Sequence, residues 1–469
     1  MNNTNIEINK ILEFAKNILD IKKVTVADFI FHTDEICKDK ILVLSKFTLD
    51  NFEKYIQVAY KKGIKGVVVD IKIPDSNLTQ NIPIFYSKYL RDNLNQFISY
   101  IHKKPLSGMK VIGITGTDGK TSLAHLLAQT YTLIGKKVGL VSTEGNGVYP
   151  RITKSIYTTP RNDLLFNFFS SFKKESVDII IIEASSQGLH QGRLDHINFD
   201  ISVITKISKD HLDYHKTHSS YLRAKSILLK MTKKKIFINE DCKNSRKIIK
   251  MISSEAKVNY FSSEYHIYGH KTKLFNNTAT KYNLSMIYSL LKQSKIQDKE
   301  IISIFEKLKP IKGRLNIFSK KNFSKFIIDY AHTPDSIKSL LEDIHTIYSK
   351  NMNKIIIVFG CGGDRDKSKR LQMGKIADKY CDVIILTDDN PRKENPQKII
   401  DDISRGITNK NKLFTIPKRK DAIKKSIKIS QKNDIVMILG KGNEDTINYG
   451  DSSIEHNDIK YLSYLLNEN

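Results

Sequence analysis

The sequence predicts an α/β protein built from three parallel-sheet units, and three observations carry that reading. Short apolar runs alternate with longer segments of helical period along the chain, the pattern of strands joined by crossover helices. The alternation starts afresh after Lys103-Lys104-Pro105 and again after Lys309-Pro310, where proline disfavours both helix and central strand. The length of 469 residues exceeds what one hydrophobic core supports and, at about 150 residues per domain, fits about three. The expected segments are 1–104, 105–310 and 311–469.

In the first segment Ile8, Ile11, Leu12 and Phe14 mark a helix, and Ile41 to Leu44, Gly66 to Asp70 and Ile82 to Tyr86 read as strands of a small α/β domain. In the second, buried strands are expected at Val111 to Thr115, Val138 to Ser142, Val177 to Glu183, Ile201 to Thr205 and Lys235 to Asn239. The intervals suit crossover helices, so a mostly parallel sheet covered on both faces follows. In the third, strands are expected at Phe326 to Tyr330, Lys354 to Phe359, Asp382 to Thr387 and Asp434 to Leu439. Helices are expected at Ser336 to Tyr348, Lys369 to Tyr380, Pro396 to Ile407 and Lys420 to Ser430. Ligands of such sheets bind beyond the carboxyl ends of the strands.

One strand end is explicit about its ligand. Gly113-Ile-Thr-Gly-Thr-Asp-Gly-Lys-Thr121 joins the strand ending at Thr115 to a helix carrying Leu123, Leu127 and Tyr131. Glycines let backbone N–H groups wrap phosphates at a helix N-terminus, Lys120 neutralises the terminal phosphates, and the Thr121 hydroxyl is placed to ligate Mg²⁺. Ile114 stands where the standard loop has its first glycine. An ordinary glycine-rich turn needs neither the lysine nor the hydroxyl.

Composition excludes several classes. The formal net charge of +27 raises nucleic acid or an anionic membrane as a partner, but the lysines are dispersed among Asn and Ile and form no basic stripe with interleaved aromatics. Cys37, Cys242, Cys361 and Cys381 form no C-x-x-C pair, so neither a zinc site nor a disulfide framework is expected. The polar start Met1 to Lys10 and the lack of any run near ~18 apolar residues argue for a cytoplasmic protein with no membrane insertion.

Four further segments fall at strand ends: Glu183-Ala-Ser-Ser186, Asp210-His-Leu-Asp-Tyr-His215, Asp329-Tyr-Ala-His-Thr-Pro334 and Asp388-Asp-Asn-Pro-Arg392. Together with the phosphate loop, in this order, they resemble the Mur ligase family from about Met109 to Tyr449, and within it the members that add meso-diaminopimelate to UDP-N-acetylmuramoyl-L-alanyl-D-glutamate. The resemblance implies a three-domain architecture: a small N-terminal α/β domain for the UDP-substrate, a central P-loop-type sheet domain for ATP, and a C-terminal Rossmann-like domain for the amino acid. It implies an ADP-forming acid–amino-acid ligase of peptidoglycan synthesis, with Mg²⁺ as cofactor, ATP as co-substrate, no nucleic-acid partner and a monomeric state.

The implied roles carry over residue by residue. Lys120, Glu183, His211 and Lys225 match the catalytic group, and Thr121, Glu183, His211 and Lys225, the last as a carbamate, match the metal-binding set. An isolated histidine is more often structural and a helix lysine more often an exposed ion-pair partner, so the neighbouring motifs carry these two assignments. Thr115, Gly116, Thr117, Asp118, Gly119, Lys120 and Thr121, with Asn283, Arg314 and Asp329, match the ATP site. Thr158, Thr159, Ser185, Gln191 and Arg193 match the UDP-substrate site. Arg365, Asp389, Asn390, Pro391, Arg392, Gly440 and Glu444 match the diaminopimelate site. Diaminopimelate carries a carboxylate that lysine lacks, and a guanidinium meeting it is worth roughly 1.5–3 kcal/mol. Arg392 is therefore the residue expected to separate these members from lysine-adding relatives, and the Asp-Asn-Pro-Arg segment argues against a folylpolyglutamate synthase. Departures from the family pattern are Phe31 to Glu35 and Lys46 to Thr48 in the uridine region, and Tyr157, Lys206 and Asn443.

Overall fold

A computed structural model of the chain describes residues 3–45, 49–73, 81–262, 274, 276–319, 323–348 and 352–468. The chain divides into two compact units, Met1–Lys110 with Thr159–Asp178 and Gln191–Asn198, and Val111–Thr158 with Ile179–His190 and Phe199–Asn469.

The first unit is built on four parallel strands in the order β1 (Phe29–Ile30), β2 (Ile41–Leu44), β3 (Gly66–Val69) and β4 (Ile84–Tyr86). Alternation places Leu42, Leu44, Val67 and Val69 on one face with Ile56 and Ala59 of the helix Leu49–Lys61. Ile41, Val43 and Val68 point the other way, onto Ile8 and Ile11 of Asn3–Leu19 and Phe97 of Leu90–Ile101. Period-two strands between helices with one apolar stripe leave no other way to bury both faces. Of the uridine-region departures, Thr33–Glu35 is a 3₁₀ turn whose leading His32 ring accepts from the Asp34 amide at 3.2 Å. Lys46 to Thr48 lie outside the described residues.

The second unit holds two large sheets. The first comprises β5 (Lys110–Thr115), β6 (Val138–Ser142), β7 (Gly145–Val148), β8 (Arg151–Thr153), β9 (Ile179–Glu183), β10 (Phe199–Ile204), β11 (Thr232–Asn239) and β12 (Lys257–Phe261), in the spatial order 12-11-10-5-9-6-7-8. β10 runs parallel to β5 and β11, β11 to β12 and β6 to β9, while β7 and β8 form an antiparallel edge. One face buries Ile112, Ile114, Val203 and Phe237 against the helices Lys120–Leu133, Thr278–Gln293 and Asp298–Lys307. The other buries Ile204, Ile236 and Ile238 against Tyr221, Leu222 and Leu229 of His218–Lys230. The second sheet comprises β13 (Asn316–Ser319), β14 (Lys325–Asp329), β15 (Ile355–Phe359), β16 (Val383–Leu386), β17 (Leu413–Thr415) and β18 (Ile435–Leu439), in the order 13-14-18-15-16-17. Only β13 is antiparallel, and β18 inserted between β14 and β15 creates the crevice at the strands' carboxyl ends where such sheets bind ligands. A hairpin of β19 (Thr446–Asn448) and β20 (Ser453–Glu455) follows.

Candidate active site

The phosphate loop leaves β5 and enters the helix Lys120–Leu133, so its amides face the carboxyl end of the sheet. Gly116 has φ +155°, and a Cβ there would lie 1.8 Å from the Thr205 hydroxyl, so no side chain fits. The loop is tied down at several points. Thr117 N donates to Lys206 O at 2.8 Å, the Thr205 hydroxyl donates to Asp118 O at 2.7 Å, and the Thr117 hydroxyl meets Tyr221 Oη at 2.7 Å. Thr115 is buried beneath, donating to Ala184 O at 2.8 Å. Lys120 folds over the loop, its Nζ donating to Gly116 O at 3.0 Å and Thr117 O at 2.9 Å.

Glu183 ends β9 with 0% exposure. The Thr121 hydroxyl donates to its Oε1 at 2.8 Å and Thr143 N to its Oε2 at 2.6 Å. Arg314 Nη2 approaches Thr121 Oγ1 at 3.3 Å, and its guanidinium lies 4.1 Å from the Tyr330 ring centre. His211 sits at φ 55° ahead of the short helix Leu212–His215, with Nδ1 3.3 Å from Gln187 and Nε2 3.5 Å from Asp210. Burial lowers its pKa to about 4, with Lys225, Lys120 and His332 reinforcing the effect against Asp210, so the ring is neutral near pH 7. Lys225 is buried on His218–Lys230, one turn from Tyr221. Its Nζ donates to Gly116 O at 2.6 Å and lies 4.4 Å from the Tyr221 ring centre. Burial and the nearby Lys120 push its pKa well below the usual lysine range.

Two clefts meet at the loop. One, of about 320 Å³, is lined by Asp118, Gly119, Thr205, Asn239, Phe261, Tyr282 and Asn283. A neighbouring space of about 250 Å³ runs along Thr117 to Thr121 past Asn283, Arg314 and Asp329. Asp329 ends β14 and accepts the amides of Leu315 at 2.9 Å and Ala331 at 2.8 Å. All ten residues matched to the ATP site therefore gather at or directly beneath this one loop.

A larger cavity, about 660 Å³, opens beside Lys120. One wall carries Gly116, Thr158, Ser185, His211 and Lys225, and the other Tyr330, Arg365, Asn443 and Glu444. Glu444 accepts from Asn390 Nδ2 at 2.9 Å and Lys441 Nζ at 2.7 Å, and Arg365 lies 3.5 Å from Asp213. Gly440 has φ +108°, and a Cβ there would lie 2.4 Å from Asp389 Oδ2. The backbone of Pro391 closes on Gly363, where a Cβ would lie 1.8 Å from the Pro391 oxygen. Arg392 is not among the residues lining the cavity. Its Nη1 donates to Gly363 O at 2.7 Å, behind the Arg365 loop.

The residues matched to the UDP-substrate site divide between the two units. Thr158, accepting from the Thr143 hydroxyl at 3.0 Å, and Ser185, accepting from Gly188 N at 3.1 Å, belong to the second unit. Thr159, Gln191 and Arg193 belong to the first, where Arg193 Nη1 donates to Thr159 O at 2.6 Å. Of the remaining departures, Asn443 donates to Glu144 at 2.9 Å, Tyr157 is exposed, and Lys206 holds the phosphate loop through its carbonyl.

Comparison with known proteins settles the family. The Mur ligase middle domain model matches residues 114–317, and the Mur ligase glutamate ligase domain model matches residues 313–442. The UDP-N-acetylmuramoyl-L-alanyl-D-glutamate--2,6-diaminopimelate ligase of Wigglesworthia glossinidia brevipalpis is 34% identical over 459 residues, covering 91% of this chain and 92% of its own. The chain belongs to the Mur ligase family. The ligase of the same name from Buchnera aphidicola subsp. Schizaphis graminum is 31% identical, covering 97% of this chain and 95% of its own. Two solved structures share the fold. One, bearing that same ligase name, has a TM-score of 0.62 at 24% identity over 97% of this chain and 98% of its own. The other, the MurF ligase of Thermotoga maritima with ADP, has a TM-score of 0.59 at 16% identity over 88% and 93%.

As a Mur ligase, the chain is an ATP-dependent, amide-bond-forming enzyme that works with Mg²⁺. Among the described residues no three His, Cys, Asp or Glu side chains form a closed metal cage. What is present is a buried carboxylate sharing the Thr121 hydroxyl, with a neutral imidazole and a buried amine lining the adjoining cavity. The carboxylate and hydroxyl oxygens of that set fit a magnesium ion that keeps phosphate and water oxygens in its shell. Sequence reasoning missed Asn239, Phe261 and Tyr282, which line the cleft beside the loop and carry no motif, and it gave Tyr221 no role beside Lys225. The i, i+4 spacing of Tyr221 and Lys225 was the available signal.

Proposed function

We propose that this Mur ligase joins meso-diaminopimelate to the D-glutamate γ-carboxylate of UDP-N-acetylmuramoyl-L-alanyl-D-glutamate. The observation that carries the reading is the shared cavity, with Lys120, His211 and Lys225 on one wall and Arg365 and Glu444 on the other. A carboxylate is a poor electrophile, so it must first take the γ-phosphoryl group of ATP, leaving ADP and an acyl phosphate. The amine of the incoming amino acid then attacks the acyl carbon. The tetrahedral adduct expels phosphate, loses a proton and becomes the amide. Lys120 and the loop amides hold phosphate charge, Asn283 and Arg314 orient the nucleotide, and Glu444 receives an ammonium group of the amino acid while Arg365, its loop braced from behind by Arg392 through Gly363 O, recognises the second carboxylate. Thr158, Thr159, Ser185, Gln191 and Arg193 hold the UDP-substrate.

Thr121, Glu183 and His211 would hold magnesium, which would supply charge neutralisation for the phosphoryl group. The depressed pKa of Lys225 favours its neutral amine, which can add to CO₂ and release a proton to give a carbamate, replacing a buried amine by an anion that would help to hold the metal. We assign the segments 1–104, 105–310 and 311–469 to the UDP-substrate, ATP and amino-acid domains of a monomer that needs no nucleic acid. A cytoplasmic location suits its substrates, and no described helix is long and apolar enough to cross a membrane.

The test follows phosphate release. It should require ATP, the UDP-dipeptide and meso-diaminopimelate together, and Lys120→Ala should lower it by about 10²–10³ in a folded protein. Release that ignores the amino acid, or survives that substitution, would contradict the reading.

A further inference from the structure

The two largest side chains buried to within 2% exposure are arginines that no step above uses, Arg370 and Arg419. Arg370 lies on the helix Ser368–Tyr380 and faces inward with 0% exposure. Its fork grips Glu394, with Nη1 on Oε2 at 3.1 Å and Nη2 on Oε1 at 2.9 Å, and Nη1 also meets Asp402 at 3.0 Å. Each partner reaches a loop that the reaction needs. Arg370 Nη2 approaches Gly362 O at 3.5 Å, and Glu394 Oε1 accepts the amide of Asp364 at 2.6 Å, so both ends of the pair fasten Gly362 to Arg365. Glu394 itself stands two residues after Arg392. The loops are stitched further by Gly363 N to Asn390 O at 2.9 Å, Lys393 N to Asp364 Oδ2 at 3.1 Å and Arg392 Nη1 to Gly363 O at 2.7 Å.

A buried ion pair is a weak source of stability, because desolvating both charges offsets most of their attraction. What a bidentate fork adds is a fixed relative orientation of the groups that carry it. We propose that Arg370 is a positioning residue for amino-acid recognition: paired with Glu394, it locks the Gly362–Arg365 loop to the Asn390–Arg392 loop and so fixes where Arg365 stands in the cavity. The inference rests on meso-diaminopimelate being the amino acid, since a guanidinium held in a fixed place serves a substrate with a second carboxylate and not lysine.

The test uses Arg370→Lys in the full chain, which keeps the charge and removes the fork. The KM for meso-diaminopimelate should rise about tenfold, with kcat and the KM for ATP within about twofold, and preference over L-lysine should fall about tenfold. If Arg370→Lys does not fold, Glu394→Gln carries the same expectation. Asp402→Asn removes the partner of Arg370 that touches neither loop, and it should lower Tm while leaving the KM for meso-diaminopimelate unchanged. A folded Arg370→Lys with unaltered KM, an equal rise for every substrate, or an Asp402→Asn that raises the KM as much would overturn the inference. Wild-type protein that does not ligate meso-diaminopimelate would take down the functional reading and the inference together, whereas active wild type with an indifferent variant sinks the inference alone.

Discussion

His125 shows how one buried group near the site writes itself into the pH dependence of the whole protein. It sits on the phosphate-loop helix with Nε2 3.0 Å from the Ser142 hydroxyl, and burial, reinforced by the Arg314 charge, lowers its pKa from 6.5 to about 4. Between those values the unfolded chain binds a proton that the folded chain refuses. The His125 contribution is therefore fully present above pH 6.5 and is lost progressively as pH falls toward 4. The urea midpoint should drop over that window, and His125→Gln should make the drop shallower; an unchanged slope would mean that His125 does not set it. At this scale the phosphate loop and Glu183 were legible in the sequence, because a glycine loop and a carboxylate ending an apolar run each declare their chemistry locally. Lys225 was legible only through its neighbours, since helix lysines are usually exposed and this one is buried to 1%. The direction of the Arg392 side chain was not legible at all, because it depends on the carbonyl of Gly363, a residue remote in sequence.

Strand ends and the turns that leave them do the positioning. β14 delivers Asp329, β9 delivers Glu183, and β18 delivers Gly440, whose φ of +108° turns the chain toward Glu444. Gly440→Ala should combine a strained backbone with a collision against Asp389, at a cost of about 1–3 kcal/mol. The expected readout is a lowered denaturation midpoint with a raised KM for meso-diaminopimelate; wild-type values for both would show that the loop tolerates a side chain. The long apolar strands were expected close to where they fall, because buried parallel strands are nearly continuous apolar runs. β1, β7, β8, β12, β13, β17, β19 and β20 were missed, since short edge and hairpin strands either hold too few residues to show a period or mix polar residues and glycines with few apolar ones. The helix Ser368–Tyr380 was expected, but its inward arginine was not, because a buried cation leaves no hydrophobic period to read.

Across the molecule, three sheets with parallel cores were predicted from the repeated alternation of strand and helix, and the described residues form three sheets of that kind. The gathering of His211 and Lys225 with Arg365 and Glu444 around one cavity was not derivable from spacing, because those residues are far apart in sequence and only tertiary packing unites them. The dispersed positive charge has a place in this picture, since ATP and the UDP-dipeptide are anionic. The central claim is that this chain makes an amide bond to an amino acid with two carboxylates. It is tested most directly by incubating the protein with ATP and UDP-N-acetylmuramoyl-L-alanyl-D-glutamate, with meso-diaminopimelate and L-lysine in parallel, and following tripeptide product and phosphate. Stoichiometric product and phosphate with meso-diaminopimelate, and little with L-lysine, is the predicted result; preferred use of L-lysine, or no product with either in folded protein, would contradict it.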